Sequence, residues 1–190
     1  MKKIPTIFER DWNGDRSLVT REPNPLCDWV FSGEGFPTRK IDGTSCLIRD
    51  GKLYRRRELK SGQKEPSGFE LADHDNETGK TVGWIPISDV PEDKYHREAF
   101  ARLGPVYDDG TYELVGPNIQ GNPECMAYNQ LIAHSSLGIQ GGPSRDFDGI
   151  KIWLSGQDIE GVVFHHLDGR MAKIKLRDFG LKRPNDKERR

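Results

Sequence analysis

The sequence predicts an α+β protein built on antiparallel sheets. Two observations carry this expectation. Segments with strand character outnumber those with helical periodicity. The strands also include two hairpins closed by Asp-Gly turns, Asp50-Gly51 and Asp168-Gly169.

Taken in order, residues 6–10 read as a short strand. Residues 11–35 are rich in Pro, Gly, Asn and Asp and read mostly as loop, with 26–31 extended. The first hairpin pairs residues 44–48 with 53–57. Residues 61–80 are polar and contain glycine, so an exposed loop is expected there. Residues 81–87 form a strand that Pro86, lacking an N–H, places near an edge or a bulge. Residues 93–103 form a helix with Tyr95, Ala99, Phe100 and Leu103 on one face. Residues 111–116 and 131–134 are short buried-type strands. Ser144 suits the N-cap of a helix reaching about Leu154, with Phe147, Ile150 and Leu154 turned inward. The second hairpin joins residues 161–165 to 171–176. A chain of 190 residues is long enough to bury a real core. One domain over 1–181, followed by a charged tail over 182–190, is the expected organisation.

The net charge is −1, so global charge says nothing about a polyanionic partner. Local charge says more: from Arg39 to Lys64 nine basic residues stand against three acids. Such a patch suits a nucleotide or RNA, although many such runs are only solvated faces. The stretch from Glu70 to Glu77 is acidic, and the tail from Lys182 is basic. Cys27, Cys46 and Cys125 are far apart and odd in number, with no Cys-x-x-Cys. That argues against zinc and against a disulfide framework, and suits a reducing, cytoplasmic setting. No signal peptide or membrane-length apolar run is present, so no membrane partner is expected.

Four features stand in order along the chain. The first is Lys40-Ile41-Asp42-Gly43, by itself a weak pattern that also reads as an exposed lysine before a turn. The second is the cluster Arg55-Arg56-Arg57. The third is an acid inside an apolar strand, Tyr112-Glu113-Leu114-Val115-Gly116. The fourth is Glu160-Gly161-Val162-Val163, followed by Lys173-Ile174-Lys175. Each has a bland alternative: Glu113 at a sheet edge, Glu160 merely preceding a strand, and the two lysines on the wet face of a sheet, since residues two apart share a face.

In this order the set resembles the covalent nucleotidyltransferases, which include ATP-dependent polynucleotide ligases and messenger-RNA capping enzymes. A narrower resemblance is carried by Gly83-Trp84-Ile85-Pro86, by the stretch from Tyr112 to Pro123, by Leu131-Ile132-Ala133-His134 and by Glu160 to His165. These look like the small 5′–3′ RNA ligase family first recognised in vertebrates, over residues 37 to 184. The resemblance implies an ATP-grasp-like adenylyltransferase domain, and a ligase that joins RNA with 5′-phosphate and 3′-hydroxyl ends through lysyl–AMP and RNA–adenylate. A role in RNA repair and a monomeric state are expected with it. It also implies ATP, with AMP carried covalently on Lys40, and magnesium or manganese as cofactors.

The chemistry gives each residue type a reason. Lysine attacks the α-phosphate only as the free amine, a form favoured by desolvation, by the neighbouring cations Lys173 and Lys175 and by a bound divalent ion. Lys173 and Lys175 then offset phosphate charge in the transition state. Asp42 and Glu160 suit magnesium, held largely through waters; Asp42 alternatively bonds the ribose. Glu113 suits acceptance from ribose hydroxyls. One arginine of Arg55–Arg57 forks onto phosphate or ribose, Arg56 by its place at the strand end. Gly43 has no side chain to block the nucleotide. Val163 supplies one apolar wall for adenine, and His134 stands where related ligases carry an aromatic.

Fifteen residues follow Lys175, too few for the OB domain that DNA ligases and capping enzymes carry there. That favours a minimal RNA ligase with the basic strand and tail as RNA contacts. The rivals are a DNA-joining or GTP-using member of the superfamily, and an RNA- or nucleotide-binding module without chemistry.

Overall fold

The computed structural model describes residues 4–76 and 79–184. Most of the expected charged tail, residues 185–190, lies outside the described residues, as does Glu77 of the acidic stretch. In chain order the elements are β1 (Phe8–Arg10), β2 (Val19–Pro23), α1 (Asp28–Phe31), β3 (Phe36–Lys40), β4 (Thr44–Arg49), β5 (Lys52–Leu59), β6 (Glu70–Asp75) and β7 (Lys80–Pro86). They continue with α2 (Lys94–Leu103), β8 (Gly110–Val115), β9 (Gln130–Ala133), α3 (Phe147–Ser155), β10 (Gly161–His165) and β11 (Met171–Lys175). Every pairing between these strands is antiparallel, and helices are few, so the α+β class holds.

The chain forms two compact units within the 1–181 span. It passes from one to the other between Ile41 and Asp42 and again between Ser136 and Leu137. The outer unit takes Ile4–Ile41 and the chain from Leu137. Its central sheet has the order β11-β10-β3, beside the small sheet β1-β2. Strand parity sorts the central sheet into two faces. Val162, Phe164, Ala172 and Ile174 are fully buried on one face, against Ile150 and Leu154 of α3 and the ring cluster of Phe8, Phe31, Phe147 and Phe179. The other face is half-buried and polar.

The inner unit, Asp42–Ser136, is a six-stranded sheet of order β6-β7-β5-β4-β8-β9. The Asp50-Gly51 turn closes β4 onto β5 with both residues in the left-handed region, φ 50° and 71°. Helix α2 covers one face: Ala99 is fully buried, with Tyr95, Phe100 and Leu103 packed on Cys46, Ile48, Leu53, Tyr112, Leu114 and Leu131.

Several expectations need correction. Residues 26–31 are helical. Asn24 accepts from the Leu26 N–H at 3.0 Å, and Pro25 begins a 3-10 turn that runs into α1. Proline pre-sets the helical φ at that position. The same loop-like stretch also holds β2. Within the polar stretch 61–80, β6 forms by pairing with β7, which makes β7 an interior strand; Pro86 is tolerated because it is the last residue, two beyond the Trp84–Glu70 pair. The cap of α3 is Asp146, which accepts from Gly149 N–H at 2.9 Å, while Ser144 donates to Asp146 at 2.6 Å. His134 lies just past β9, in a 3-10 turn.

Leu154→Ala should lower the unfolding free energy by about 2–5 kcal/mol, the usual cost of a cavity at a fully buried leucine. A urea titration measures it.

Candidate active site

Three lysines reach one face of the outer unit's sheet because of its register. Gly161 on β10 lies between Lys40 on β3 and Lys175 on β11. Two residues further on, Val163 lies between Thr38 and Lys173. Lys40, Lys175, Lys173 and Val163 therefore share the polar face. Gly161 matters twice. It places no side chain between the two lysines, and a Cβ there would run into the Ile174 carbonyl and, at 2.8 Å, Lys175 Cα.

Glu160 stands at the entrance to β10. Its Oε2 pairs with Lys40 Nζ at 2.5 Å and its Oε1 pairs with Lys175 Nζ. The carboxylate is only 11% exposed. Burial alone would raise the Glu160 carboxyl, but Lys40 and Lys175 more than offset it and hold it below the usual carboxylate range. Among the described residues, no acid forms an ion pair with Lys173. Burial first, then repulsion from Lys175 and Lys40, pushes its ammonium down to about 8. The end of β11 is fixed from below: Asp178 accepts from Lys175 N–H at 2.8 Å and pairs with Arg10 at 2.9 Å.

The inner unit carries a second cluster. Ser45 on β4 pairs with Glu113 on β8, which pairs with Ile132 on β9. Glu113 is buried, and its Oε2 meets His134 Nε2 at 3.0 Å; His134 Nδ1 meets Thr111 Oγ1 at 2.9 Å. Both contacts lie in the ring plane, so they fix the imidazole without using its faces. Gly43 packs against β8. A Cβ there would strike the Leu114 carbonyl, and would come within 2.9 Å of Glu113 Cγ and Val115 Cγ1.

Strand parity also separates the three arginines. Arg55 pairs with Cys46, on the α2 side, and its guanidinium meets buried Asp93 at 2.8 Å. Arg57 is exposed. Arg56 falls on the opposite face from Arg55, the face of Ser45 and Glu113. It is interior to β5, which runs on to Leu59, so its face singles it out rather than a strand end. Among the described residues, Arg56 Nε and Ser45 Oγ are both buried without a hydrogen-bond partner. Buried polar atoms left unpaired are costly, and the α2 side carries such atoms too, at both ring nitrogens of His96.

The structure thus gathers Lys40, Glu160, Val163, Lys173 and Lys175 in one unit. It carries Asp42, Gly43, Arg56, Glu113 and His134 in the other. Residues that the motifs did not point to are Ser45, Thr111, Gln120, Glu124 and Asp178. Asp178 had a signal, an acid three residues after Lys175 in a capping pattern. Among the described residues, no group of three His, Cys, Asp or Glu side chains converges as a metal site, and no helix is long and apolar enough to cross a membrane.

The fold and these clusters define an antiparallel α+β protein that presents a lysine-rich face around one shared carboxylate. The model of the family RNA ligase 1 matches residues 103–189. RNA ligase 1 of Pongo abelii is 29% identical over 188 residues, covering 90% of this chain and 51% of its own length. RNA ligase 1 of Danio rerio is 28% identical over 141 residues, covering 57% of this chain and 43% of its own. The chain is thus similar to RNA ligase 1 proteins over much of its length. The chain spans about half the length of these relatives.

Two expected outcomes follow from the lysine face. An unfolded lysine titrates near 10.5 and folded Lys173 at about 8. Below the lower value both states hold the proton and the folded protein bears the full penalty. Between the two values only the unfolded chain holds it, so stability rises with pH. Lys173→Met should flatten that rise in thermal melts taken from about pH 7.5 to 10.5; an unchanged slope would assign the titration elsewhere. Glu160→Gln leaves Lys40 and Lys175 without their shared anion and should cost about 3 kcal/mol in a denaturant titration, as for a broken buried pair.

Proposed function

We propose that this protein is an ATP-dependent RNA ligase that joins a 5′-phosphate to a 3′-hydroxyl. The observation that carries the reading is the shared Glu160 carboxylate between Lys40 and Lys175, with Lys173 on the same face held towards its neutral form. Two lysines paired to one buried acid, with a third lysine on the same face, suit a nucleophilic amine facing polyphosphate.

Lys40 Nζ, once free of its proton, attacks the α-phosphorus of ATP. An N–P bond forms, the bond to the bridging oxygen breaks and pyrophosphate leaves. The RNA 5′-phosphate oxygen then attacks the same phosphorus, and the lysine departs and regains a proton. Finally the 3′-hydroxyl attacks the 5′-phosphorus of the RNA–adenylate and AMP leaves. Lys175 and Lys173 offset charge on the phosphoryl oxygens as it develops. Glu113 accepts from ribose hydroxyls through the oxygen that His134 does not use. Arg56 offers its unpaired Nε to phosphate or ribose. Val163 and the faces of the His134 ring are the apolar surfaces offered to adenine. Asp42 and Glu160 are each hard oxygen donors, of the kind that suits a magnesium or manganese ion keeping most of its water. Such an ion would supply charge neutralisation at the triphosphate.

The relatives are named as RNA ligases, which supports RNA over DNA as the strand joined. Intact mass after incubation with ATP and magnesium should rise by one AMP, and Lys40→Ala should abolish the gain. A gain with GTP instead would move the protein to another nucleotide, and no gain with either would end the enzymatic reading. Lys175→Ala should slow the gain by about 100-fold or more while leaving a cooperative thermal melt. Strand joining is then compared on 5′-phosphorylated RNA and DNA; faster DNA joining would overturn the RNA assignment.

A further inference from the structure

The segment between β8 and β9 is long, turn-rich and unusually constrained. Gln120, Asn122 and Cys125 adopt left-handed φ of 48°, 57° and 52°, with Gly121 at 76°. Non-glycine residues resist that region, so surrounding bonds must hold them there. Asn122 bonds Met126 twice, accepting from its N–H at 2.8 Å and donating to its carbonyl at 3.1 Å. Asn129 ties the segment to Glu98 of α2 at 2.9 Å, and Ile119 is buried in the α2 core.

What this rigid segment grips is the turn that directly follows Lys40. Glu124 is buried, and its Oε1 accepts from the Asp42 N–H at 3.0 Å. The Gln120 side-chain amide donates to the Gly43 carbonyl. Both ends of one dipeptide are thus held by side chains four residues apart, while β8 closes against Gly43 on its Cα side. A hydrogen bond to a carboxylate is shorter and stronger than a neutral one, and burial strengthens it further.

We propose that Glu124, with Gln120, is a positioning residue: it fixes the Asp42-Gly43 backbone and with it the point from which the Asp42 carboxylate projects. This rests on the nucleotidyl-transfer reading of Lys40, but the clasp has a readout of its own. Small displacements of a group at the reacting centre cost rate far more than binding.

The experiment compares Glu124→Ala, Glu124→Gln and Gln120→Ala with wild type in two measurements. Hydrogen exchange of the peptide spanning residues 41–46 should speed up at least tenfold in Glu124→Ala and stay near wild type in Glu124→Gln, which keeps a carbonyl acceptor. The rate of AMP attachment at saturating ATP should fall about 10- to 100-fold in Glu124→Ala, with half-saturating ATP within about twofold of wild type. Glu124→Gln should recover most of that rate, and Gln120→Ala should fall between. Unchanged exchange in Glu124→Ala overturns the clasp whatever the activity. Unchanged maximal rate with faster exchange overturns the positioning role. Wild type that takes up no AMP overturns the ligase reading instead, and the exchange result still decides the clasp.

Discussion

One carboxylate shared by two lysines is the interaction on which the outer unit's polar face depends. Glu160 can pair with both because the register of β3, β10 and β11 puts a glycine between Lys40 and Lys175. Charges this well buried are tolerated only when paired. Every support in the surroundings serves that pairing. Val162, Phe164 and Ile174 make the underside of the sheet apolar and fix its position on α3. Asp178 and Arg10 stop β11 from sliding. Lys173 is placed on the same face by strand parity alone, with Val163 between it and Thr38, and its lowered proton affinity is the consequence of sitting there.

The inner unit obeys the same parity rule with a different result. Its α2 side is mainly apolar, and it also buries the Arg55–Asp93 pair and His96. The opposite side keeps polar atoms buried and short of partners, at Ser45 and Arg56. It also holds Glu113 in a fixed orientation through His134 and Thr111. An unpaired buried donor beside a fixed carboxylate is an arrangement that stability alone disfavours.

Much of this was legible in the sequence, for identifiable reasons. Both hairpins announced themselves because Asp-Gly is among the strongest local turn signals. The pairing of Lys173 and Lys175 on one face followed from a period of two. What failed was local chemistry that tertiary contacts override. Residues 26–31 look extended in isolation, yet Asn24 and Pro25 turn them into helix. Strand β6 is too polar to advertise itself and exists because β7 offers a ladder. Arg56 is not at a strand end, because β5 runs on to Leu59; what distinguishes it from Arg55 is that it lies on the face of Glu113. Gln120 falls in the stretch that carries the family resemblance and Glu124 just beyond it, but a turn-rich stretch gives no hint of which backbone it will hold.

The resting arrangement also constrains how the proposed chemistry begins. Lys40 is held in place by its ion pair with Glu160, and in the proposed chemistry it attacks only once that pair has opened. Lys175 makes the same acid do double duty, so any anion that draws Lys175 away leaves Glu160 more strongly committed to Lys40, whereas a cation that engages Glu160 loosens both lysines together. Triphosphate alone would therefore tighten the pair that must open. Nucleotide arriving with its charge already neutralised would open it. In the proposed reaction the same carboxylate would both hold the lysine and set the condition for its release, which is a reason for its being an acid of two partners rather than one.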